Sequence, residues 1–190
     1  MTTPIPTHSL VRLLNSTDTW PAFEEDWRSQ CDSFDEDFEQ FAAASLPVLR
    51  EQAAFAARDV GVYALQRDDG VFEAVAHASS SYIPGYQGKV LRVRHMLLSP
   101  NFDFGEYAMG DYSRVLARMV VRTIALAVGE LPSRHVKFHL RSPADREFFA
   151  ASAEGISASD AFYDVAIKGS WLHMSLRIGE ADANEERQVG

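Results

Sequence analysis

The stretch LLSPNFDFGEYAMGDYSRVLARMVV, Leu97 to Val121, decides how the chain is read. A strand ends at Pro100, and a loop carrying Gly105 and Gly110 follows. An amphipathic helix then starts behind Asp111, which is placed to cap it. Exposed peptide N–H groups at such a start suit a diphosphate. The loop is nevertheless acidic. It carries Asp103, Glu106 and Asp111, with no Lys or Arg before Arg114.

Downstream, Tyr112, Val115, Leu116, Met119, Val120, Thr123, Ile124 and Ala127 recur at helical spacing, so the helix has one apolar face. Arg114, Arg118 and Arg122 form a stripe at steps of four, expected as a solvated face. Gly129 and Pro132 end the helix. HVKFHLR then alternates as a strand, with Val136, Phe138 and Leu140 on one side and His135, Lys137, His139 and Arg141 on the other. SPADREFFAASAEG reads as a short helix with Ser142 as cap and Gly155 at its end. AFYDVAIKGSWLHMSLRI supplies two strands around Gly169. His135 and His139 do not converge on a strand, so no metal site is expected.

Upstream, KVLRVRHMLLSP is a long strand. Period-two alternation puts Arg92 and Arg94 on one face with Met96 and Leu98, and His95 on the other with Leu91, Val93 and Leu97. VGVYALQRDDGVFEAVAHASSSYI is a hairpin turning at Asp68-Asp69-Gly70. IPGYQG turns into the next strand, completing a meander. Near the start, HSLVRLL is a strand. Asp18 or Thr19 caps a helix with Pro21 in its first turn, and Trp20, Phe23, Trp27 and Cys31 line it. Phe34, Phe38 and Phe41 continue that spacing onto a second helical piece. Pro47 interrupts, and VLREQAAFAARD is a further helix.

The 190 residues suit one domain, residues 1–178, with residues 179–190 a polar, disordered tail. The fold class is α/β (α+β): a mixed, mostly antiparallel twisted sheet with helices on both faces. A net charge of -9 argues against nucleic acid or an anionic membrane as partner. Asp18, Glu24, Glu25, Asp26, Asp32, Asp35, Glu36, Asp37 and Glu39 concentrate the acid in one segment, read as a solvated helical face. No run is apolar enough to span a bilayer. The single cysteine, Cys31, excludes an internal disulfide, fits a cytoplasmic location, and reads as a packed thiol.

The order is strand, two or three helices, three strands, helix, strand, helix, two strands. With Met96, Leu98 and Pro100 before the loop, and Phe148, Phe149, Gly155 and Ile156 after the next strand, it resembles the GNAT-type N-acetyltransferase superfamily from about Leu10 to Ile178. The resemblance implies acetyl-CoA or another acyl-CoA held between the fourth and fifth strands. Backbone groups of Met96, Leu97 and Leu98 would meet pantetheine, and Gly105, Gly110 and Asp111 would lie at the diphosphate. A small-molecule amine would attack the thioester, with a base taking its proton. The chain departs from that pattern in three places. No Arg or Gln precedes the loop glycines. Phe149 stands near the usual proton-donating tyrosine. Arg92 stands where a glutamate is expected, and arginine is a poor base. Glu73 and His77 share a face of their strand and are the candidate bases. Arg92 and Arg94 suit an anionic part of a substrate, or an ion pair with Glu73 on the neighbouring strand. Three functions stay open: an acyl-CoA-dependent N-acyltransferase, a ligand-binding or interaction domain of the same fold that has lost CoA, and an acyltransferase similar to autoinducer synthases. A homodimer is compatible with each.

Overall fold

The computed structural model describes residues 7–141 and 143–177. The elements are β1 (His8–Leu13), α1 (Thr19–Asp32), α2 (Leu46–Ala53), β2 (Val60–Arg67), β3 (Phe72–Tyr82), β4 (Lys89–Leu98), α3 (Pro100–Phe104), α4 (Met109–Val128), β5 (His135–His139), α5 (Pro143–Ser157), β6 (Phe162–Lys168) and β7 (Trp171–Leu176). The strands form a seven-stranded sheet in the order β1-β2-β3-β4-β5-β7-β6. This is the mixed, mostly antiparallel sheet that the sequence pattern implies. The chain divides into two compact units, Met1–Ser79 with Val93–Ala125, and Ser80–Arg92 with Leu126–Gly190. Among the described residues no helix is long and apolar enough to cross a membrane. The segment 179–190 lies outside the described residues.

In the first unit β1 runs antiparallel to β2, pairing Leu10 with Leu65, and β2 antiparallel to β3, pairing Val62 with His77. Val62 to Leu65 and Phe72 to Ala76 are buried at consecutive positions. Such runs mark strands covered on both faces. The helical spacing of α1 delivers Trp20, Phe23, Trp27 and Cys31 to the core, against Leu13, Ala64, Phe72 and Val75. The Phe23 and Trp27 rings lie 4.5 Å apart. Trp27 keeps its polar atom satisfied by donating from Nε1 to the Phe72 carbonyl at 2.9 Å.

Several local expectations are corrected. Asp18 stands at the N-cap of α1 but makes no side-chain cap. Instead the Thr19 hydroxyl accepts the Leu14 N–H at 3.0 Å. Residues 33–45 are turns, not a second helix. The reason is a Schellman closure: Glu36 N–H donates to Cys31 O, Asp35 N–H donates to Asp32 O, and Asp35 takes φ 57°. Phe38 and Phe41 still reach the core from those turns. Pro47 opens α2 rather than interrupting a helix, because a first-turn N–H has no partner to lose. The loop after Pro100 begins with the short helix α3. The long helix α4 starts at Met109, so Gly110 and Asp111 lie in its first turn and Asp111 is not the cap. Helix α5 runs through Gly155 to Ser157. Ser142, expected as its cap, lies outside the described residues. Asp26 does not belong to a solvated face: its carboxylate accepts the Phe72 N–H at 2.9 Å and the Gln30 amide at 2.8 Å. Burial raises its pKa.

In the second unit β7 pairs antiparallel with both β5 and β6. Val136, Phe138, Leu172 and Met174 are buried, and Phe149 of α5 stacks on Phe138 at 5.9 Å. The alternate residues are cross-strand pairs: His135 with Ser175, Lys137 with His173, and His139 with Trp171. They share the other face.

Candidate functional site

The site expected at Met96 to Asp111 is built from the end of β4, α3 and the start of α4. Strand β4 is not uniformly extended, because His95 adopts φ 49°. A left-handed residue inside a strand breaks period-two alternation. The shared face expected for Arg94, Met96 and Leu98 therefore does not continue through it. Leu98 is buried, while Leu97 packs partly against the core and Met96 is half-buried. The strand ends where the Ser99 N–H donates to the Glu73 carbonyl at 3.0 Å. Arg92 donates from Nη2 to Ser81 Oγ at 3.2 Å. Arg94 and His77 are half-buried.

Gly105 is a glycine for packing. A Cβ there would lie 2.4 Å from the Asn101 carbonyl oxygen and 2.8 Å from the Tyr107 ring. Gly110 is different: the nearest atom to a Cβ there is Arg114 Nη2, at 4.0 Å. The first turn of α4 contains Met109, Gly110 and Asp111, and helix geometry gives their N–H groups no acceptor four residues back. The Asp111 N–H finds the Ala108 carbonyl at 2.8 Å instead. The Asp111 carboxylate reaches back to the Ala108 N–H at 3.2 Å, as an acidic N3 residue does in a capping box. Its other oxygen meets Arg114 Nη2 at 2.6 Å. Arg114 also donates from Nε to the Gly110 carbonyl. The acidity of the loop is thus partly answered: Asp111 is paired, and burial raises the pKa of Asp103 toward its neutral form. The backbone at Gly110 is open, and Arg114 is the cation beside it. Asp111 is the group with which an anion there would compete.

The second constellation in this unit centres on Glu73. The β2–β3 register places Phe72 opposite Gln66 and Ala74 opposite Leu65, so Glu73 is the extra residue of a bulge. Its carboxylate is nearly buried and lies 2.8 Å from His8 Nε2, 3.6 Å from Arg67 Nη1 and 3.7 Å from Arg118 Nη1. Arg118 Nη1 is also 3.2 Å from His8 Nε2. One ring nitrogen cannot both donate to Glu73 and accept from Arg118. We assign the Nε2 proton to Glu73, which leaves Arg118, like Arg67, as an ion partner of the carboxylate. Two expectations change here. Glu73 pairs with these groups rather than with Arg92, and Arg118 leaves the solvated arginine stripe. No sequence signal tied His8 or Arg118 to Glu73, because strand pairing and helix packing bring them there.

Cys31 is buried, and burial first, then Asp32 and Glu36, push its thiol up to about 11. It stays protonated at neutral pH and is no nucleophile. Among the described residues no group of three or more His, Cys, Asp or Glu side chains suits a metal ion.

No family model matches the chain, and no curated protein sequence matches it. Solved structures do. The chain is similar to a probable acetyltransferase from Staphylococcus epidermidis ATCC 12228, at 11% identity and a TM-score of 0.49, over 89% of this chain and 99% of that one. It is similar to a GNAT-family acetyltransferase from Staphylococcus aureus Mu50, at 6% identity and a TM-score of 0.47, over 90% and 100% of the two chains. An aminoglycoside 6'-N-acetyltransferase from Acinetobacter baumannii matches at 15% identity and a TM-score of 0.38, over 86% and 98%. Likenesses this distant assign no chemistry; that rests on the chain's own residues.

Proposed function

We propose that the chain is an acyl-CoA-dependent N-acyltransferase of the GNAT type, acting on a small-molecule amine. The observation that carries this reading is the start of α4. A strand stopped by Pro100 leads within eleven residues to a twenty-residue helix whose first turn is open at Gly110. Helix N-termini favour anions through their unpaired N–H groups and their dipole. The N–H groups of Met109 and Gly110 would hold the diphosphate, with Arg114 adding charge. Backbone groups of Met96 to Leu98 would meet the pantetheine arm. Acyl-CoA supplies the activated acyl thioester, and the chain's work is orientation and proton handling. Arg92 and Arg94 would recognise an anionic part of the acceptor. Of the candidate bases, Glu73 is anchored by His8, Arg67 and Arg118, which suits a fixed anion. His77, half-buried on the same strand, would then take the amine proton.

A second reading has one observation in its favour. Asp111 already occupies the Ala108 N–H and Arg114, as a bound anion would. A chain with that arrangement fits a ligand-binding or interaction domain of the same fold without CoA.

Calorimetric titration of acetyl-CoA into the protein and into Asp111→Asn separates the two. The transferase reading expects saturable binding that tightens in Asp111→Asn, and a stabilisation of about 2.7 kcal/mol at a hundred times the dissociation constant. No binding of acetyl-, succinyl- or longer acyl-CoA to either protein retires it. Binding without turnover over a panel of amines favours the second reading.

A further inference from the structure

The second unit holds a feature that the transferase reading does not use. Gln87, Arg134, His135, Tyr163, Ser175 and Leu176 line a pocket of about 230 Å³. A water molecule takes about 30 Å³ of liquid, so the space suits a small organic molecule. Its lining includes one formally charged group, the Arg134 guanidinium, and no carboxylate. On a chain with a net charge of -9 that composition is selective.

The walls are held in place. His135 has both ring nitrogens engaged, Nδ1 with Ser175 Oγ at 2.9 Å and Nε2 with the Gln87 carbonyl at 3.0 Å. A carbonyl only accepts, so Nε2 carries the proton and Ser175 donates to Nδ1. The Tyr86 ring meets the His135 ring edge-on at 5.0 Å. Arg134 is fixed at its backbone: its N–H donates to Lys89 O, and its carbonyl accepts from the Leu176 N–H. Its stem fills the space over Gly88, where a Cβ would lie 2.7 Å from Arg134 Cδ. Yet among the described residues its guanidinium has no ion pair and no hydrogen bond. Tyr163 is 71% exposed, with Arg177 4.7 Å from its ring centroid. Asp164, whose register partner is Ser175, lies 3.8 Å from Lys168.

We propose that this pocket is a binding site for a small ring-bearing organic anion, with its carboxylate or phosphate on Arg134 and its ring against Tyr163. A guanidinium forks onto either head group with two parallel N–H donors. A tyrosine ring offers flat apolar area at little entropic cost. The proposal is independent of whether the protein binds acyl-CoA.

The test is a titration of the full chain followed by amide chemical shifts, with benzoate, phenyl phosphate and neutral benzamide as probes. Benzoate or phenyl phosphate should shift the amides of Arg134, Ser175 and Leu176 saturably, and the tighter of the two identifies the preferred head group. Benzamide should be much weaker. Arg134→Gln should weaken the anion about tenfold or more at unchanged melting temperature, while Arg134→Lys, which keeps the charge and loses the fork, should fall between. Equal affinity for benzoate and benzamide, unchanged affinity in Arg134→Gln, or no saturable shift at those amides would overturn the proposal. Should Arg134→Gln melt early, Tyr163→Ala provides the second reading: it must weaken both anions, and binding that ignores it sinks the site.

Discussion

Glu73 Oε2 and His8 Nε2 sit 2.8 Å apart, with both side chains less than a tenth exposed. One comes from the bulge of β3 and the other from the first residue of β1. Arg67 and Arg118 complete the charge balance from β2 and α4. Removing one partner from a buried pair leaves the rest uncompensated, which costs several kcal/mol. Glu73→Gln should therefore lower the unfolding free energy by about 3 kcal/mol in urea denaturation. His8→Ala should couple to it in a double-mutant cycle. A loss under about 1 kcal/mol would place the cluster among ordinary exposed ion pairs.

The two loop glycines should behave oppositely. Gly105→Ala forces a methyl group against the Asn101 carbonyl and the Tyr107 ring. Overpacking of this kind costs about 1–3 kcal/mol. Gly110→Ala meets open space in a helical turn and should be neutral or stabilise by up to about 1 kcal/mol. Thermal melts of the two variants decide it. Equal destabilisation would mean that Gly110 is also a packing glycine.

His173 gives the pH prediction. Burial first, then Lys137 and Lys168, lower its pKa from 6.5, while Asp164 opposes. Its Nδ1 accepts from the Tyr86 hydroxyl at 2.8 Å. A depressed histidine pKa means that the unfolded chain takes up the proton first as pH falls. Its contribution is present above pH 6.5 and is lost as pH drops below that value toward and through the folded pKa. Denaturation at pH 7.5 and 5.5 should show the native chain losing stability over this window, and His173→Gln losing less. Identical pH dependence in both would exclude His173 as a source.

Residue order alone made the strands and the main helices legible. The apolar positions of β2, β3 and β5 alternate or run together, Trp20 to Cys31 and Val115 to Ala127 recur at helical spacing, and Pro100, Gly70 and Gly169 mark the breaks. Such signals are local, because burial of one face imposes a period on neighbouring residues. The misread pieces are those whose conformation is set elsewhere. Asp35 and His95 take left-handed backbone, which Asp and His tolerate better than most residues but do not impose. Pro47 and Asp111 are helix-start residues assigned to neighbouring roles, since an element's end depends on which N–H groups find acceptors.

The candidate sites divide the same way. Gly105, Gly110 and Asp111 could be named from the sequence, because a proline stop, glycines and an amphipathic run lie within one contiguous stretch. What each glycine is for, and that Asp111 is tied to Ala108 and Arg114, came only from the folded backbone. His8 with Glu73 and Arg118, and Arg134 beside Tyr163, lie far apart along the chain. Strand register and helix packing set those distances, and no local pattern of residues encodes them.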